Sequence, residues 1–288
     1  MRFHLGTIVN NRANVSPVLP DIPEEPSKWY ISQWNQSEYI EAKSLRVDDP
    51  MTFDPRLGIA RYAFNAADGH AHVWIYPTGS NNWVYELYEA GGTLIKTGGS
   101  NIFLTTDQMM PSTFNRKMTL DFDGKISKAS IFGSPESQAN GTVVSQIFAG
   151  LSMMFTDPSS HHQHHVFMQL GISASGKSVR RSAEFVCDES SSIALFGPNL
   201  SRGELILPYA SDAGPLHHFH YDLNNYLSDL LATKSCNVEW SPAALQPTNW
   251  LIGGFYIGLE TEASRGADAP QGVVETGFQV ANITLVAH

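Results

Sequence analysis

Two carboxylates, two residues apart, are the first candidates for chemistry in this chain. They are Glu260 and Glu262, in the run Asn249-Trp250-Leu251-Ile252-Gly253-Gly254-Phe255-Tyr256-Ile257-Gly258-Leu259-Glu260-Thr261-Glu262. Successive side chains of a strand point to opposite faces, so Tyr256, Gly258, Glu260 and Glu262 share one face and Phe255, Ile257 and Leu259 the other. The carboxylates then stand about 6.5–7 Å apart along the strand. Glycoside hydrolysis uses two carboxyl groups flanking a bond, about 5–5.5 Å apart for retention and about 6.5–9.5 Å for inversion. Side chains on one strand stand side by side rather than flanking a bond, so a solvated outer face explains the pair equally well. Gly258 leaves room for a ligand beside Tyr256.

Histidine is the second candidate. Of 11 histidines, seven fall in His161-His162-Gln163-His164-His165 and His217-His218-Phe219-His220. His218 and His220 share a strand face, a spacing that suits a metal, and Asp222 continues that face as a third ligand. Asp222 is also wanted as a helix cap. The 161–165 cluster reads as an exposed loop after Asp157-Pro158. No cofactor is otherwise expected. A third candidate is aromatic: Trp29, Tyr30, Trp34, Trp74, Tyr76, Trp83, Tyr85 and Tyr88 crowd the first third of the chain. Flat rings match the C–H faces of sugars, although β-sandwich cores use the same residues. Gly171-Ile172-Ser173-Ala174-Ser175-Gly176-Lys177-Ser178 has phosphate-loop spacing, but no helical stripe follows it, so the match reads as accidental. Cys187 and Cys236 form no C-x-x-C motif and read as two core thiols, or as one disulfide.

The elements that must position these groups are almost all strands. Period-2 alternation with breaks at Gly, Asn, Asp or Pro predicts strands near 60–66, 70–77, 82–89, 93–98, 101–106, 116–122, 126–133, 142–156, 164–175, 180–187, 191–197, 203–207, 216–221, 250–262 and 273–286. Asp123-Gly124 is read as a hairpin turn. Leu223, Tyr226, Leu227, Leu230 and Leu231 predict one short helix capped by Asp222. Pro17, Pro20, Pro23 and Pro26 favour an extended arm. The expected organisation is an N-terminal arm over 1–45 and one β-sandwich domain over 46–288.

Composition excludes several classes. The 288 residues hold 18 basic and 28 acidic side chains, so only 16% are charged, against 42% hydrophobic and 11% aromatic. Disordered chains and helical bundles carry more charge. A net charge of −10 disfavours nucleic acid as a partner. No apolar run is long enough for a membrane helix, and the first residues lack an apolar signal core, so a cytoplasmic location is expected unless a leader was removed. A neutral surface rich in amides and aromatics suits a neutral glycan.

The run Phe219-His220-Tyr221-Asp222-Leu223, the Tyr226-Leu227 helix, the Trp250–Glu262 strand and the Val273–Val286 strand together resemble the end of a concanavalin A-like jelly roll, in particular its glucanase-type members. The resemblance implies an all-β jelly-roll β-sandwich with one short late helix and a curved sheet that holds a glycan. It also implies that Glu260 matches the general acid. Those relatives need a second Glu on a neighbouring strand. The most similar strand here, Val166-Phe167-Met168-Gln169-Leu170, has Val166 at that place, which leaves Glu184 and Glu86 as candidate partners. The expected ligand-binding residues are Tyr256, Glu262, Trp83, Tyr88, Trp74 and Trp34. The reading is therefore a carbohydrate-recognising protein, with hydrolysis through paired carboxylates open. The alternatives are a structural sandwich assembling as a homo-oligomer through the arm, and a metal protein using His218, His220 and Asp222.

Overall fold

The described residues form fourteen strands, one α-helix and a short 3-10 helix over Pro247–Asn249, the strands following the alternation of apolar and polar residues. The computed structural model describes the backbone of residues 7–8, 30–32, 60–66, 69–77, 83–92, 99–106, 116–133, 143–161, 163–175, 184–187, 192–196, 205–232, 240–263 and 272–287. It describes the side chains of residues 84, 86–88, 116–132, 144–161, 163–175, 205–232, 240–261 and 272–286. The strands are β1 (Thr7–Ile8), β2 (Tyr30–Ser32), β3 (Ala60–Ala66), β4 (Gly69–Pro77), β5 (Trp83–Gly92), β6 (Gly99–Thr106), β7 (Met118–Gly133), β8 (Val143–Thr156), β9 (Gln163–Ala174), β10 (Glu184–Cys187), β11 (Ser192–Phe196), β12 (His217–Asp222), β13 (Leu251–Ala263) and β14 (Gly272–Ala287). The helix α1 is Leu223–Ala232.

Two sheets result. One has eight strands in the order β1-β2-β6-β13-β8-β9-β11-β10, and the other six in the order β12-β7-β14-β5-β4-β3. Pairing is antiparallel except for β1 with β2 and β9 with β11. The chain changes sheet between β2 and β3, at each step from β5 to β8, and at each step from β11 to β14, whereas β3–β5 and β8–β11 are runs within one sheet. This is the all-β jelly-roll sandwich with one late helix. Two short strands from the segment read as an arm, β1 and β2, lie at the edge of the larger sheet, where β2 pairs with β6.

The inner faces form one core. Ile147, Leu151 and Phe155 of β8, Met168 of β9 and Ile257 and Leu259 of β13 pack with Leu120 and Phe122 of β7 and Phe278 and Val280 of β14. Leu223, Tyr226, Leu227 and Leu230 place the apolar stripe of α1 in the same core, and Asp222 Oδ1 caps the helix by accepting from the Asn224 amide at 3.1 Å. Trp250 is fully buried, and its indole donates to the Ala244 carbonyl at 2.8 Å. Polar bonds also tie the sheets together: Thr276 Oγ1 of β14 donates to Ser145 Oγ of β8 at 2.6 Å, and the Tyr209 hydroxyl bonds Thr276 Oγ1 at 2.7 Å. Both Ser145 and Thr276 are buried, so this bridge satisfies groups that would otherwise lose water without compensation.

Several local readings are corrected. Asp123-Gly124 is not a turn. It lies mid-way along the single 16-residue strand β7. Gly124 pairs with His217 on one side and Val280 on the other, so the ladder on both flanks overrides the local turn preference. The glycine serves close approach instead, since a Cβ there would lie 2.9 Å from Cζ of Phe278. Residues 205–207 are irregular rather than strand. The histidine cluster is not all loop: His161 lies just after the turn with φ 57°, whereas His164 and His165 belong to β9. That turn is held by Asp157 Oδ1, which accepts from the amides of Ser159 and Ser160 at 2.8 and 3.2 Å. The expected strand over 93–98 lies outside the described residues, as do Trp34 and Cys236.

Candidate functional site

Glu260 is placed by β13, a central strand of the larger sheet. Ile257 and Leu259 enter the core, so Tyr256, Gly258 and Glu260 stand on the outer face, as the alternation predicts. Register decides their neighbours. Glu260 is opposite Gln146 on β8 and opposite Asn101 on β6. Glu262 is opposite Val144 and Gly99. The neighbouring strand is therefore β8, not the Val166–Leu170 strand, and the position facing Glu260 holds an amide. The carboxylate row carries one acid between two amide-bearing residues.

The outer face continues along β13, β8 and β9. Gly258 is opposite Phe148, Tyr256 opposite Gly150, and Gly254 opposite Ser152. Next, Gly150 is opposite Gln169, Ser152 opposite Phe167, and Met154 opposite His165. Tyr256 lies across Gly150, where any Cβ would overlap the phenol ring. Phe148 and Phe167 pack edge-on to Tyr256 with centroids 6.0 and 6.2 Å away. Tyr256, expected from the sequence to bind ligand, is thus 5% exposed and packs among these rings. Burial pushes its phenol well above the ordinary range, a hydrogen bond with Gln169 works against that, and the Glu260 charge adds to the rise. Beside it, Ser152 Oγ and His165 Nε2 are 2.8 Å apart, and the His165 ring lies 4.4 Å from that of Phe167. Burial holds the His165 imidazole below its usual pKa, so it stays neutral at physiological pH.

The other candidate residues are not gathered here. Glu86 lies on the outer face of the smaller sheet, because its neighbour Leu87 is in the core. It is 8% exposed and accepts hydrogen bonds from Ser127 Oγ at 2.5 Å and Gln279 Nε2 at 3.1 Å. The core separates it from Glu260, so it cannot share a substrate with that residue. Glu184 on β10 is on the correct sheet. However, its register row runs through Leu195, Gln169 and Gly150 to Tyr256, four strands away. At about 4.8 Å per strand the offset from β13 is about 19 Å, well beyond the span of a catalytic carboxylate pair. Trp74, Trp83 and Tyr88 sit on β4 and β5 of the smaller sheet, away from the Glu260 face. The Tyr88 phenol is pushed up to about 12, first by burial and then by Glu275.

The His218–His220 alternation is as read, and both rings lie on the outer face of the smaller sheet. Their partners are Asp123, at 2.9 Å from His218 Nδ1, and Asp121, at 2.6 Å from His220 Nδ1. Asp222 is engaged by the helix cap and by Lys117, 3.8 Å away. Among the described residues no group of three or more His, Cys, Asp or Glu is arranged to hold a metal ion. Gly171–Ala174 of the phosphate-loop match lies within strand β9. Among the described residues no helix is long and apolar enough to cross a membrane.

Sequence reasoning missed Gln146, Gly150, Ser152, His165, Phe167 and Gln169 as neighbours of Tyr256 and Glu260. Their alternation along β8 and β9 was visible, but nothing local marks which strands pair.

The class defined by this fold and this face is a jelly-roll β-sandwich presenting a mixed aromatic and amide sheet surface that also carries Glu260. No family model matches the chain, and no curated protein matches it in sequence. Among solved structures it is similar to one from a comparison of family 12 glycoside hydrolases, at TM-score 0.42 and 12% identity over 81% of this chain and 97% of that one. It is also similar to a thermostable cellulase derived from a Rhodothermus marinus enzyme, at TM-score 0.42 and 9% identity over 79% and 92% of the two chains. A family 11 xylanase from Neocallimastix patriciarum gives TM-score 0.35 and 8% identity over 80% and 92%. Similarities of this size assign no residue role to this chain.

Proposed function

We propose that this protein recognises a neutral glycan on the outer face of its eight-stranded sheet, and that it binds rather than cleaves it. The observation that carries this reading is the Glu260 row. A carboxylate flanked in register by Gln146 and Asn101 offers hydrogen-bond acceptors and donors matched to sugar hydroxyls. Hydrolysis through paired carboxylates would need a second acid that flanks the bond opposite Glu260, and Glu262 stands beside it on the same strand. Gln146 stands at the nearest place on β8 and can act neither as nucleophile nor as base there. Phe167, partly exposed beside His165 and Ser152, supplies an apolar ring and polar atoms on the same face.

The test combines a glycan array with a reducing-sugar assay on the array's best ligands. Binding without sugar release, weakened at least ten-fold by Glu260→Gln or Gln146→Ala, is the expected result. Sugar release abolished by Glu260→Gln would replace this reading with a hydrolase. Absence of binding to every glycan would remove both.

A further inference from the structure

On the side of the sandwich away from Glu260, we propose that His218 and His220 form a two-imidazole chelate for a divalent transition cation such as zinc. The rings occupy alternate positions of β12, so both project from one face of the strand. They are exposed, with 66% and 52% of their side-chain surfaces open to solvent. Each directs Nδ1 at a carboxylate of the adjacent strand β7: His218 at Asp123 Oδ1, 2.9 Å, and His220 at Asp121 Oδ1, 2.6 Å. Asp123 is itself held by Asn282, whose amide donates to Oδ2 at 2.6 Å.

An imidazole bonded through Nδ1–H to a carboxylate has its lone pair on Nε2. Metal-binding histidines are oriented and made more basic in this way. Neither Nε2 makes a hydrogen bond among the described residues. The His218 Nε2 lies 3.7 Å from Asp121 Oδ1, the oxygen that bonds His220 Nδ1, so Asp121 touches both rings. Imidazole donors select zinc, copper or nickel over magnesium or calcium. Two protein ligands would leave the remaining positions to water. Asp222 has no part in the chelate, since it caps α1.

Titration calorimetry of the untagged full chain with zinc chloride at neutral pH tests this. One zinc per chain is expected. Binding should weaken at least ten-fold in His218→Ala or His220→Ala and vanish in the double variant. Asp123→Asn should cost about ten-fold by releasing the His218 ring. Asp222→Asn keeps a capping side chain and should bind as the parent does. Unchanged melting temperatures would show that the exposed variants fold. Zinc-dependent shifts of the His218 and His220 ring signals give a readout independent of heat. The proposal fails if the double variant binds zinc like the parent, if Asp222→Asn abolishes binding, or if the parent takes up none at millimolar zinc.

Discussion

Glu260 of β13 and Gln146 of β8 are register partners on adjacent antiparallel strands, so the outer face of the larger sheet sets one carboxylate directly against one amide. Side chains so placed have Cβ atoms about 4.5–5.5 Å apart. That is close enough for two acids to share a proton and a substrate.

Gln146→Glu follows directly from this pairing. The variant should be less stable than the parent at neutral pH, by about 0.2–1 kcal/mol, because like charges then stand opposite each other. The deficit should shrink as the pH falls and one carboxyl takes up a proton. Thermal unfolding from pH 7 to pH 4 measures it. A deficit that does not depend on pH would contradict the pairing.

Gly150 is the site that admits the Tyr256 ring. Gly150→Ala should destabilise the protein by about 1–3 kcal/mol through overpacking. Tyr256→Ala in the same chain should recover part of that loss. A double-mutant cycle in urea reads the coupling, and additive losses would mean that the ring does not lie over Gly150.

Substitutions at Gly124 distinguish a position inside a strand from one in a turn. A turn glycine is replaced by Asn at little cost, whereas under the Phe278 ring any Cβ collides. Both Gly124→Ala and Gly124→Asn should therefore lower stability by about 1–3 kcal/mol. Equal stability of the Asn variant in denaturant titration would restore the turn.

His165 should make stability fall on mild acidification. Burial lowers its folded pKa below the unfolded value of about 6.5, so the unfolded chain binds the proton first. Above about pH 6.5 both states are neutral and His165 has no effect. As the pH falls below that value toward the folded pKa, stability is lost. Melting temperatures from pH 8 to pH 5 should drop more in the parent than in His165→Asn.

Strand content, the late helix with its cap, and the faces of β13 were legible in the sequence because they rest on local alternation. Ile257 and Leu259 lie on one face and Glu260 on the other by alternation alone, and the first face is the one that enters the core. The sharing of one face by His218 and His220 has the same local origin. Pairing between strands far apart in sequence is different, since register is set by burial across the whole sheet. It made Asp123-Gly124 part of a long strand, placed Glu86 behind the core and kept Glu184 four strands from β13. It also gave His218 and His220 their carboxylate partners on β7 and placed Gln146 opposite Glu260. The sequence by itself determined a strand-rich chain with one late helix and with Glu260 and Glu262 on one face of a strand. Only the tertiary structure decided that an amide, not a second acid, stands against Glu260, because that neighbour is chosen by sheet order and not by spacing along the chain.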